Sequence, residues 1–176
     1  MDEDRARWCE LAALLPPARA RDVVECWDIG EQEAGIDLLM TGLADGDVAI
    51  DDDERARIAV TAEVWGVRES VEPALRRCRS RPGGRVRTVE GEPAADAAMT
   101  AGAEPLTEAG GEPEADLVVV PWLACADCGR VLGRAHRLEP WGDLSYEALH
   151  YVLPPRRFGP EEAWEAFTAL TACAHR

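Results

Sequence analysis

The sequence predicts an α+β protein: an all-helical N-terminal hairpin or bundle, then a small zinc-ribbon-like β-hairpin unit that ends in a helix. Three observations predict it. Residues 1–78 set large apolar side chains at helical spacing. Residues 117–153 instead run apolar, or alternate, in short stretches bounded by turn residues. Between two of those stretches stands Cys125-Ala126-Asp127-Cys128-Gly129, where thiols three positions apart can grip one metal ion from a tight turn. The expected division is 1–80 helical, 81–89 a short strand or connector, 90–116 an acidic flexible linker, and 117–176 the unit bearing the cysteine pair.

Trp8, Leu11, Leu14 and Leu15 mark the first helix, which Pro16-Pro17 ends. A second runs from about Ala18 to Ile29, with Val23, Val24 and Trp27 on one face and Gly30 as its stop. The third is marked by Ile36, Leu39, Met40 and Leu43, which follow one helical face. Asp45-Gly46-Asp47 makes a turn and Val48-Ala49-Ile50 a short extended passage. Asp51, with Glu54 three residues on, forms a capping box for a fourth helix that buries Ile58, Thr61, Ala62 and Trp65 and stops at Gly66. A fifth spans roughly Arg68 to Arg79, with Val71, Leu75 and Cys78 inward, and Arg81-Pro82-Gly83-Gly84 breaks it.

Arg85 to Val89 alternates like a short strand. Residues 90–116 lose all periodicity; they hold eight acids, no base and few large apolar side chains, the composition of a solvated linker. Leu117 to Val120 reads as a buried strand, and Gly129 to Leu138 as its returning partner. Trp141-Gly142-Asp143 is a turn, Tyr146 to Leu153 a third strand, and Pro154-Pro155 its end. Pro160, followed by Glu161 and Glu162, suits a helix start, and Trp164, Phe167 and Leu170 mark that helix's buried face.

The formal net charge of the 176 residues is −15, and residues 1–78 carry −10 of it. Such a field repels nucleic acid and membrane surfaces and attracts basic partners, although acidity also serves solubility alone. No apolar run approaches the roughly 20 residues of a membrane span. The acidic start, Met1-Asp2-Glu3-Asp4, is not that of a signal peptide, and six cysteines without one point to a reducing cytoplasm. Every basic side chain except the histidines is Arg, with Ala and Gly in excess, which reads as a GC-rich bacterial coding bias.

Zn²⁺ needs four ligands, and Cys173 and His175 are the first choice to join Cys125 and Cys128; His136 and His150 are alternatives. Ordinary reduced thiols remain an open reading of the pair. A redox dithiol fits less well, because such pairs open a helix and this one turns between strands. A catalytic reading finds no GxSxG, HExxH, Walker or GxGxxG pattern. Cys128 with His136 is the one nucleophile–base pairing on offer, and strand spacing alone invites it. Cys9, Cys26 and Cys78 read as structural thiols on apolar helix faces. Asp51-Asp52-Asp53-Glu54 lacks the ligand spacing and central Gly of a Ca²⁺ loop. The arginines between residues 76 and 87 suit an anion or the acidic linker equally.

The run Asp28-Ile29-Gly30-Glu31-Gln32-Glu33-Ala34-Gly35-Ile36-Asp37-Leu38-Leu39, followed by Leu43, Val48-Ala49-Ile50, Glu54, Ile58, Ala62-Glu63 and Gly66, resembles the small helical immunity proteins of the Maf type, which accompany bacterial polymorphic toxins. The resemblance covers about residues 10–70 and is carried mostly by packing positions. It implies no catalysis and a partner toxin that the chain binds and blocks; it carries over no contact residue. The acidic linker and the cysteine-bearing unit depart from the family's pattern.

The sequence therefore leads us to expect a non-enzymatic, acidic, cytoplasmic binding protein. Its partner is a basic protein, such as a toxin encoded nearby, met by Asp45, Asp47, Asp52, Asp53 and Glu54. A regulatory or adaptor protein with a structural zinc-ribbon-like module is the alternative, and an enzyme using the cysteine pair a third class.

Overall fold

A computed structural model describes residues 2–89 and 117–172. The chain divides into two units, Met1–Gly84 and Arg85–Arg176. The expected linker at 90–116 and the ligands Cys173 and His175 lie outside the described residues.

The first unit is helical: α1 (Asp2–Ala12), α2 (Pro17–Ile29), α3 (Gln32–Asp45), α4 (Asp52–Val64) and α5 (Arg68–Arg77). Pro17 opens α2, one residue earlier than expected, because a missing N–H costs nothing in a helix's first turn. Gly30 ends α2 at φ 85°, and the Glu31 N–H donates back to the Cys26 carbonyl at 2.8 Å. All four residues of the α3 pattern are buried, and with Trp8, Leu11, Leu15, Val23, Ile58, Val71 and Leu75 they make the core. Each such side chain contributes about 1.5–3 kcal/mol on leaving water. The α3 backbone comes close to this core at Gly35, where a Cβ would sit 2.5 Å from the Trp8 ring. Trp8, Trp27 and Trp65 form a row of indoles with centroids 5.5 and 5.9 Å apart.

The capping box expected at α4 is present. The Glu54 N–H donates to the Asp51 carboxylate at 2.9 Å, and the Asp51 N–H to the Glu54 carboxylate at 2.8 Å. Asp51→Ala removes this and the Asp51–Arg81 ion pair, and should cost about 1–2 kcal/mol in urea unfolding. An unchanged midpoint would mean that packing alone holds the helix start. α5 ends at Cys78, before the Pro-Gly-Gly passage expected to break it. Ile50 bridges to Ser80, so the short extended passage before α4 pairs with the chain leaving α5.

The second unit is an antiparallel sheet, β1 (Val86–Thr88), β2 (Leu117–Cys125), β3 (Val131–Arg137), β4 (His150–Leu153) and β5 (Arg156–Phe158), in that spatial order, followed by α6 (Ala163–Thr171). The short strand expected near residues 85–89 is the sheet's edge, with Val86 opposite Cys125. Pro154-Pro155 turns the chain into β5, where the sequence suggested an end. The register sets Leu123 opposite Leu132, and alternation sets Leu153 on the same face; all three are fully buried. α6 packs on the sheet through Ala163, Ala166, Phe167 and Leu170, while Trp164 is only half-buried. This unit thus has an apolar core and more strands than the simple ribbon expected. No helix among the described residues is long and apolar enough to cross a membrane.

Candidate functional site

The cysteine pair sits where β2 turns into β3. Cys125 ends β2; its N–H donates to the Arg130 carbonyl and its carbonyl accepts from the Gly129 N–H, both at 2.9 Å. Gly129 takes φ 70°, which closes the turn. The edge strand braces it, because the Ala126 N–H donates to the Arg85 carbonyl at 2.7 Å and Arg85 reaches Asp127 at 3.7 Å. Cys125 is buried among the core side chains of the sheet, and Cys128 is exposed at the turn. The described residues thus place two thiols at one turn, one buried and one exposed.

The sheet register removes His136 and His150 as co-ligands. His136 stands opposite Val118, and His150 opposite Ala135, at the far end of the hairpin. The seven residue steps from Val118 to Cys125, at about 3.3 Å each, put roughly 20 Å between them. The same span rules out a Cys128–His136 nucleophile pair. His136 is buried, with its Nδ1 2.8 Å from the Ser145 carbonyl. No group of three or more His, Cys, Asp or Glu side chains converges on a metal position among the described residues.

Burial pushes the Cys26 and Cys78 thiols up. At Cys26 the nearby carboxylates of Glu25, Glu31 and Asp22 add to the effect; at Cys78 the Arg55 and Arg77 cations oppose it. Brief alkylation of metal-free protein at neutral pH should therefore label exposed Cys128 well before Cys125, Cys26 or Cys78. If zinc binds the pair, one equivalent should protect Cys128, as read by peptide mass spectrometry. Labelling of Cys128 at the same rate with and without zinc would remove the metal site.

The five acids expected to meet a partner are mostly engaged within the first unit. Asp45 pairs with Arg19 at 2.9 Å, and Asp47 with Arg79 at 3.6 Å. Glu54 is held by the capping box and by Arg81, which also pairs with Asp51 at 2.9 Å. Asp52 and Asp53 are half-buried in the first turn of α4, where they favour the helix dipole. Four of the six arginines of the 76–87 cluster are likewise engaged: Arg76 with Glu72, Arg79 with Asp47, Arg81 with Asp51 and Glu54, and Arg85 with Asp127.

A different set of acids is presented to solvent. Asp22 and Glu25 on α2, Glu31 between the helices, and Glu33 and Asp37 on α3 are all exposed. None of these five forms an ion pair with the arginines of the described residues. Three of them lie close enough together to act on the single thiol of Cys26. Ile29, 67% exposed, and Leu38 lie in the same stretch. Sequence reasoning passed over this set because its charges are dispersed along the chain, unlike the run at residues 51–54.

No family model, curated protein or solved structure matches the chain.

Proposed function

We propose that the chain is a non-enzymatic binding protein that captures a basic protein through the exposed carboxylates of α2, α3 and the turn between them, in the manner of an immunity protein blocking a toxin. One observation carries this reading. Exposed carboxylates at Asp22, Glu25, Glu31, Glu33 and Asp37 face water without arginine partners among the described residues, while the first unit's other acids are largely paired. Unneutralised charge of one sign steers a cationic surface and then pairs with it. Exposed Ile29 and Leu38 add apolar area of the kind that holds a partner once docked. The resemblance of residues 10–70 to Maf-type immunity proteins supports the toxin as the kind of partner.

The test is co-purification of the tagged chain with the product of the adjacent gene, and rescue of growth when both are expressed. Failure of both would remove the immunity reading. The turn at Cys125–Cys128 favours a second reading, an adaptor with a structural zinc-ribbon-like module. That reading requires about one Zn²⁺ per chain, completed by Cys173 and His175, and elemental analysis of protein prepared without chelator decides it.

A further inference from the structure

We propose that the connection between β3 and β4 is a second docking surface, on which Trp141 seats a basic segment of a protein partner. It rests on the reading above only in that the partner is basic; the residues are different and lie in the other unit.

The sequence builds this connection to hold one shape. In Glu139-Pro140-Trp141-Gly142-Asp143 the proline's fixed φ suits the second position of a turn, and Gly142 takes φ 96°, which a glycine adopts without strain. The Gly142 N–H donates to the Glu139 carbonyl at 2.9 Å and the Glu139 N–H to the Asp143 carbonyl at 2.8 Å. This is a three-residue hairpin loop with Trp141 at its tip. Its base is fastened by the Leu138–Leu144 bridge, and the Ser145 N–H donates to the Arg137 carbonyl at 2.8 Å. The Ser145 hydroxyl accepts from the Arg137 N–H at 3.1 Å and donates to the Glu147 carbonyl at 2.9 Å. Buried His136 reaches the Ser145 carbonyl from below.

On this fastened backbone Trp141 is 72% exposed, Tyr146 54% and Leu138 46%. The unit's remaining aromatics behave otherwise: Trp122, Tyr151, Phe158 and Phe167 are buried and Trp164 half-buried. The exposure of Trp141 at one end of the sheet is not explained by packing among the described residues. Trp and Tyr are the residue types that anchor interfaces.

Charge selects the occupant. The connection at 138–149 contains Glu139, Asp143 and Glu147 and no base, and exposed Arg137 at its foot leaves acids in excess. A guanidinium or ammonium lying on the Trp141 face gains cation–π attraction, and the carboxylates around it complete the pairing. The same carboxylates repel nucleic acid and anionic lipid. The surface therefore fits a protein segment that sets Arg or Lys beside apolar side chains.

Panning a random dodecapeptide phage library on the full chain tests this, with the enriched peptides then measured by fluorescence polarisation. The expected peptides combine Arg or Lys with apolar residues, and bind about tenfold or more weakly to Trp141→Ala. They should also weaken on Glu139→Gln/Asp143→Asn/Glu147→Gln, and should ignore Asp22→Asn/Glu25→Gln. Trp141→Arg, which repels a cation, should abolish binding, and circular dichroism establishes that each variant is folded. Enriched peptides that bind Trp141→Ala as well as the parent overturn the proposal, as do Trp141-dependent peptides lacking basic residues, or no enrichment. Peptides lost only with the α2 substitutions overturn this surface and leave the α2–α3 reading standing; the converse pattern does the reverse.

Discussion

Replacing Trp8 with alanine is expected to destabilise the helical unit by about 3–5 kcal/mol. Trp8 is buried, packs against Trp27 in a tilted pair, and its indole N–H donates to the Val23 carbonyl at 2.8 Å. That carbonyl belongs to α2, so the side chain ties α1 to α2 by a polar contact as well as by packing. The glycine at position 35 lets α3 close over the same ring. Removing the indole therefore opens a cavity where α1, α2 and α3 meet, and these helices are already close-packed. Urea unfolding followed by far-ultraviolet circular dichroism measures the loss. A loss below about 1 kcal/mol would show that the core collapses to fill the site, against the usual behaviour of large-to-small changes.

Arg55→Ala should cost about 1.5–3 kcal/mol, by a different route. Arg55 is a buried cation, yet it forms no ion pair with a carboxylate among the described residues. Its guanidinium donates to the Leu75 carbonyl, and at 3.1 Å each to the Cys78 carbonyl and the Ser80 hydroxyl. Those groups end α5 and begin the passage that bridges Ile50, so one α4 side chain supplies the donors that the helix end lacks. Without it the Cys78 carbonyl and the Ser80 hydroxyl lose this donor, and the Leu75 carbonyl keeps only the Cys78 N–H at 3.3 Å. Lysine should rescue little, because an ammonium cannot reproduce the planar fork that spans these acceptors. Hydrogen exchange should speed in α5 and at the Ile50–Ser80 bridge before it does in α2. Wild-type stability in Arg55→Ala, or full rescue by Arg55→Lys, would contradict this account.

Local rules made much of the fold legible. The spacing of Ile36, Leu39, Met40 and Leu43 marks a helix face because the period is intrinsic to the helix, and all four are buried. Asp51 and Glu54 mark a cap because its hydrogen bonds span three residues. What depended on distant pairing was not legible. Val86 reads as a strand residue, but nothing local says that it faces Cys125. β5 was missed because paired prolines and two arginines disguise a three-residue strand. The −10 charge of residues 1–78 was plain, yet which carboxylates stay unneutralised depends on partners far along the chain. Arg19 reaches Asp45 across 26 residues and Arg81 reaches Asp51 across 30. The histidines could be weighed as zinc ligands only until the register placed them at the far end of the hairpin from the cysteine turn.

The central claim is electrostatic capture of a basic protein by α2 and α3, and association kinetics across a range of ionic strengths test it most directly. The adjacent gene's product serves as the partner. The parent chain is compared with Asp22→Asn/Glu25→Gln/Glu31→Gln/Glu33→Gln and, as a control, with Asp52→Asn/Asp53→Asn. The account predicts an on-rate for the parent that falls steeply with salt, as exposed charges are screened beyond about 10 Å at 0.1 M. The four-site variant should associate about tenfold or more slowly at low salt and lose most of that salt dependence. The Asp52/Asp53 variant should change less, since those half-buried carboxylates favour the α4 start. An on-rate indifferent to salt, or equal between the parent and the four-site variant, would contradict capture through these carboxylates.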